Sequence, residues 1–130
     1  MRIERVEVRE LALPLRHPFE TSFGRTEAKE FLLVTVHADG VRGYGECVAD
    51  RGPFYLPETN GTVWHVLEEF LVPLLFRLEL RDPREVLPAL ARVRGHEMAK
   101  AALEMAVWEL WARRDGVPLG RLLGGAKTAI

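Results

Sequence analysis

The chain has 130 residues, the size of one domain with a single core. Hydrophobic residues make up 48% and charged residues 28%, and a net charge of −1 gives no electrostatic reason to expect nucleic acid or an anionic membrane as partner. A single cysteine, Cys47, excludes an internal disulfide, the early charges Arg2, Glu4, Arg5, Glu7, Arg9 and Glu10 exclude a secretory signal starting here, and no apolar run is long enough to span a bilayer; the expected location is the cytoplasm.

Residues 3–13 set Ile3, Val6, Val8, Leu11 and Leu13 among charges. The alternation slips between Ile3 and Val6 and between Val8 and Leu11, which predicts a half-buried strand carrying a bulge. Residues 17–24 follow as His-Pro-Phe-Glu-Thr-Ser-Phe-Gly. Pro14, Pro18 and Gly24 punctuate this stretch, and it is too long for a tight turn, so a loop is expected. It carries two rings, Phe19 and Phe23, and two hydroxyls, Thr21 and Ser22. Either the rings plug the domain's own core, or they belong to a lid that closes over a ligand.

The β-branched and apolar run over residues 30–38 predicts a second strand, Asp39-Gly40 a tight turn, and residues 41–49 a third strand antiparallel to the second. The result is a three-stranded meander. Gly43 and Gly45 share one face of the third strand, a sign that another backbone comes close there.

From Thr59 the period becomes helical, with Val63, Val66, Leu67, Phe70 and Leu71 in one stripe and Pro73 ending or kinking the helix. A further turn or two is expected over residues 74–80. Asp82-Pro83 is a helix start, and Val86, Leu87, Leu90 and Val93 face inward. The strongest helical pattern covers Glu97–Arg114, with alanines that permit close approach. Gly116 and Pro118 stop it, and a short turn over residues 119–123 ends at Gly124-Gly125.

Little in this pattern is chemistry. The four histidines (His17, His37, His65, His96) have no ligand spacing, and no nucleophile elbow or phosphate loop is present. Glu46 reads as a strand-end acceptor, Asp50 as a residue bonding its own turn, and Glu58 as serving a helix N-terminus. Trp64, Trp108 and Trp111 read as core or interface residues. The residues alone describe an α+β domain with an aromatic loop and no self-sufficient active site.

The order of motifs adds a resemblance. Leu13-Pro14-Leu15, Pro18-Phe19-Glu20-Thr21-Ser22-Phe23-Gly24, Gly43-Tyr44-Gly45-Glu46-Cys47-Val48-Ala49, Pro53-Phe54-Tyr55 and Glu58-Thr59 resemble the amino-terminal capping domain of the enolase superfamily. So do Ala102-Leu103-Glu104-Met105-Ala106-Val107-Trp108-Glu109-Leu110, Gly116-Val117-Pro118-Leu119 and Leu122-Leu123-Gly124-Gly125. Within the superfamily the pattern is most similar to o-succinylbenzoate synthases and N-acylamino acid racemases.

The resemblance implies a cap over residues 1–125, made of the three-stranded antiparallel meander and a helical bundle, with residues 126–130 opening a connection into a (β/α) barrel. The two catalytic lysines and the carboxylates that hold Mg²⁺ belong to that barrel, so no catalytic or metal-binding residue is expected in this chain. The implied partners are the barrel and a small carboxylate substrate, with a homo-oligomer left open. The implied substrate contacts are Phe19, Ser22, Phe23 and Tyr55. Asp50 stands where relatives carry an apolar residue, which implies an altered pocket, and Glu109 replaces a commoner aspartate. Two other readings stay open: the cap of a dipeptide epimerase or muconate-type cycloisomerase, and a free-standing binding or assembly domain.

Overall fold

The structure, a computed structural model, describes residues 1–22 and 24–126. Strands β1 (Arg5–Thr21), β2 (Gly24–Ala38) and β3 (Val41–Cys47) form one antiparallel sheet in the order β1-β2-β3. Helices α1 (Asn60–Val66), α2 (Val72–Leu75), α3 (Val86–Leu90), α4 (Glu97–Arg114) and α5 (Leu119–Leu122) follow. The α+β meander with helices behind it is therefore present.

Alternation along β2 selects the core face: Leu32, Val34, Val36 and Ala38 are buried, and Val6 and Val8 opposite Val36 and Val34 pack against that face. The turn to β3 is tight because Asp39 and Gly40 both take positive φ (51° and 74°), matching the twist of a two-residue hairpin. Helix α4 then lies across the sheet with Ala99, Ala102, Leu103, Ala106, Val107 and Leu110 buried. Gly43 and Gly45 make this contact fit. A Cβ at Gly43 would overlap the Ala106 carbonyl oxygen and sit 2.6 Å from Leu110 Cβ; one at Gly45 would overlap the Ala102 carbonyl oxygen and sit 2.9 Å from Ala106 N. The paired glycines mark a backbone approach, as their spacing predicts.

Three expectations need correction. The bulge expected inside residues 3–13 is absent, since Arg5 to Pro14 pair one for one with His37 to Ala28. The alternation slips because Leu11 and Leu13 face the opposite side of the sheet from Val6 and Val8. Second, residues 17–21 are not a loop. Strand β1 runs on to Thr21, paired with Gly24, and the register shift falls between Pro14 and Phe19, which pair with Ala28 and Thr26. An edge strand has one side without a partner, and a bulge leaves residues out of the ladder, so Pro14 and Pro18 are tolerated. Third, of the two outcomes expected at Pro73, ending or kinking, the helix does not end but is distorted just before it. The turn Leu67–Leu71 is π-helical, and the Val72 N–H bonds the Leu67 carbonyl one residue further back than in an α-helix. That wider turn makes room for the proline ring at the start of α2 and swings Phe70, 50% exposed, off the buried stripe. Leu87 likewise stays partly outside while Val86 and Leu90 are buried.

Candidate functional site

Strand β3 pairs only with residues 32–38 of β2. Residues 11–21 and 24–31 therefore continue as a two-stranded ribbon past the end of β3, and the segment 48–58 leaves β3 at that same end. An ion pair joins the two: Arg51 Nη1 lies 3.6 Å from Glu30 Oε1, with the arginine almost fully exposed. Such a pair contributes little energy but fixes which segments are neighbours.

On the ribbon, Phe19 is 57% exposed, with Lys29 Nζ 6.0 Å above its ring. It does not plug the domain's core. The Thr21 hydroxyl donates to the Gly24 carbonyl at 3.3 Å, and Ser22 is exposed at the turn. Phe23 lies outside the described residues. On the second segment Tyr55 is 82% exposed, beside an exposed Phe54 whose ring lies over Gly52. Phe19, Ser22 and Tyr55 share one end of the sheet, and among the described residues no hydrogen bond joins Phe19 or Ser22 to Tyr55.

Asp50 and Glu58 sit where predicted but act differently. The Asp50 carboxylate has no partner among the described residues; its backbone carbonyl, not its side chain, ties the turn by accepting from Asn60 N at 3.1 Å. Glu46 also has no partner among them, so it is not a strand-end acceptor. Glu58 does serve a helix N-terminus, that of α4 rather than α1. It accepts from Met98 N at 3.0 Å and Ala99 N at 3.2 Å, reaching 40 residues along the chain. Helix α1 needs no such help, because Thr59 and Thr62 form a capping box. Helix α4 does need it: His96 at its N-cap is left-handed (φ 55°) and gives no side-chain bond. The missing Ser, Thr, Asp or Asn before Glu97 was the available hint that a distant acceptor was required.

The tryptophans behave as core or surface-anchored residues. Trp111 is buried, while Trp64 and Trp108 hydrogen-bond Glu68 and Glu104 one turn away. Glu109 accepts from the Tyr44 backbone N–H and pairs with Arg113 at 2.8 Å, joining α4 to β3. Among the described residues no three His, Cys, Asp or Glu side chains gather as a metal site would need. The Mg²⁺ ligands that the resemblance implies belong to the barrel, not to these residues. No helix among the described residues is long and apolar enough to cross a membrane.

Residues 3–124 match the family model described as mandelate racemase / muconate lactonizing enzyme, N-terminal domain. The chain belongs to this family. It is thus an amino-terminal capping domain of the enolase superfamily. This MR/MLE N-terminal domain is 55% identical to an o-succinylbenzoate synthase of Geobacillus kaustophilus over 129 residues, covering 98% of this chain and 34% of that protein. It is 44% identical to an N-succinylamino acid racemase of Thermus thermophilus, covering 100% of this chain and 35% of the relative. A solved enolase-superfamily member from Listeria innocua superposes with a TM-score of 0.92 at 34% identity, over 98% of this chain and 34% of that one. The MR/MLE domain thus spans about a third of the length of the relatives it matches.

Proposed function

We propose that this domain caps the active site of a Mg²⁺-dependent enolase-superfamily enzyme acting as an o-succinylbenzoate synthase or N-acylamino acid racemase. The observation that supports this most is the shared placement of Phe19, Ser22 and Tyr55: exposed, and carried by two segments that leave the sheet at one end. Exposed rings have a physical reason to seek a second surface, since burying each contributes about 1.5–3 kcal/mol.

In this reading the metal and the catalytic lysines lie in a barrel that follows the cap. The cap's own residues bind and shield. Phe19, Phe23 and Tyr55 close over the substrate and exclude water, which lowers the local dielectric and strengthens the charge contacts beneath. Ser22 offers a short hydroxyl to a carboxylate or amide oxygen. The unpartnered Asp50 carboxylate borders the end of the substrate remote from the reacting carbon. It also favours a second reading, the cap of an epimerase whose substrate carries an amine.

The test is a chimera in which residues 1–125 replace the corresponding first third of the Geobacillus kaustophilus o-succinylbenzoate synthase. Dehydration or N-succinylamino acid racemisation should survive within about tenfold, roughly 1.4 kcal/mol of barrier. A folded chimera inactive on both substrates would refute the reading. In the active chimera, Phe19→Ala should raise KM while leaving Tm within about 2 °C, because more than half the ring is already exposed. Parallel losses of Tm and activity would instead assign Phe19 a packing role. The isolated chain should show no Mg²⁺-dependent turnover.

A further inference from the structure

A concavity of about 450 Å³ lies between the helical stretch α1–α2 and the segment leading into α4. It shares no residue with the ribbon or with segment 48–58. Its floor is apolar, formed by Val66, Phe70, Pro73, Leu74 and Val93. The π-helical turn is what places Phe70 here, and the His65 ring packs edge-on against it at 5.8 Å.

The rim is cationic. Arg77, Arg92 and Arg94 all line it, and among the described residues none of the three has an ion-pair partner. Glu69 is the one carboxylate of the lining. His96 lines the concavity beside them. His96 is held there by its left-handed backbone, fixed by the adjacent turn at Gly95 (φ 64°).

From this combination we propose that the concavity binds a small amphipathic anion: an aromatic or aliphatic body on the Phe70–Pro73–Leu74 floor, its oxyanion shared by the arginines. The volume suits one small molecule, and guanidinium forks match carboxylate and phosphate oxygens alike. This inference does not rest on the proposed capping function.

The test is titration of the ¹⁵N-labelled chain with benzoate, phenyl phosphate and neutral benzyl alcohol, followed by amide NMR shifts. Saturable shifts at Phe70, Val93 and His96 are expected with benzoate, phenyl phosphate or both, and the stronger of the two identifies the oxyanion preferred. The double variant Arg92→Gln/Arg94→Gln should bind about tenfold more weakly. Its folding is checked in the same spectra, and both arginines are exposed. Absence of saturation with both anions up to about 10 mM would overturn the proposal. So would an equal response to benzyl alcohol, or unchanged affinity in the double variant.

Discussion

Replacing Gly45 with alanine adds one methyl group, and the structure says where it must go. Its Cβ would overlap the Ala102 carbonyl oxygen and lie 2.9 Å from Ala106 N and 3.1 Å from Ala102 C. These are backbone atoms of an 18-residue helix, so no side chain can rotate aside to make room. Restoring ordinary carbon contacts near 3.5–4 Å requires the helix and strand to part by about 1 Å. Interiors are packed too densely for that to be free, and the same shift loosens Leu103, Ala106 and Leu110. Overpacking costs typically 1–3 kcal/mol, and an immovable obstacle places this case near or above about 3 kcal/mol. For a domain of this size that lowers Tm by roughly 10 °C. Thermal and urea unfolding followed by circular dichroism would measure it. Gly120→Ala is the control, because nothing lies within 4 Å of its added Cβ and it sits in α5. A Gly45→Ala domain melting within about 2 °C of the parent would refute the reasoning.

Two further outcomes are expected. Glu58→Ala removes both side-chain bonds to the first turn of α4 and should cost about 1–2 kcal/mol by urea unfolding, with Glu58→Gln recovering part of it; a loss below about 0.3 kcal/mol would show that the cap is idle. The hydrogen bonds from the Arg84 side chain and backbone N–H hold the Asp82 carboxyl at about 2 against an ordinary 3.8. A lowered carboxyl stabilises the fold above its unfolded value and loses that contribution as pH falls through 3.8 toward 2, so Asp82→Asn should flatten the acid limb of the urea midpoint in that window; an unchanged limb would contradict it.

Much of the fold was legible because each signal was local. The period-two run of β2, the Asp39-Gly40 turn, the 18 residues of α4 and the glycine pair facing it all depend on neighbours in sequence. What stayed hidden depends on distance or on which strand lies at an edge. Proline argues against a central strand but not against β1, and nothing near Pro14 or Pro18 reveals that β1 has one free side. The same holds for Pro73, whose ring is accommodated by a π-turn that no hydrophobic period announces. The candidate site was legible as a motif order, not as a geometry. Phe19 looks the same in sequence whether it plugs a core or faces outward. Glu58 could not be matched to α4 across 40 residues without seeing the fold.

The ribbon that outruns β3 carries a consequence for how such a domain changes over time. Two strands paired only with each other hold marginal stability of their own, while the free energy of the domain resides in the layer between sheet and α4. Substitutions near Phe19 and Ser22 therefore draw almost nothing from the reserve that keeps the chain folded. Selectivity at that tip is free to drift, while a single methyl on Gly45 should draw about 3 kcal/mol from that reserve.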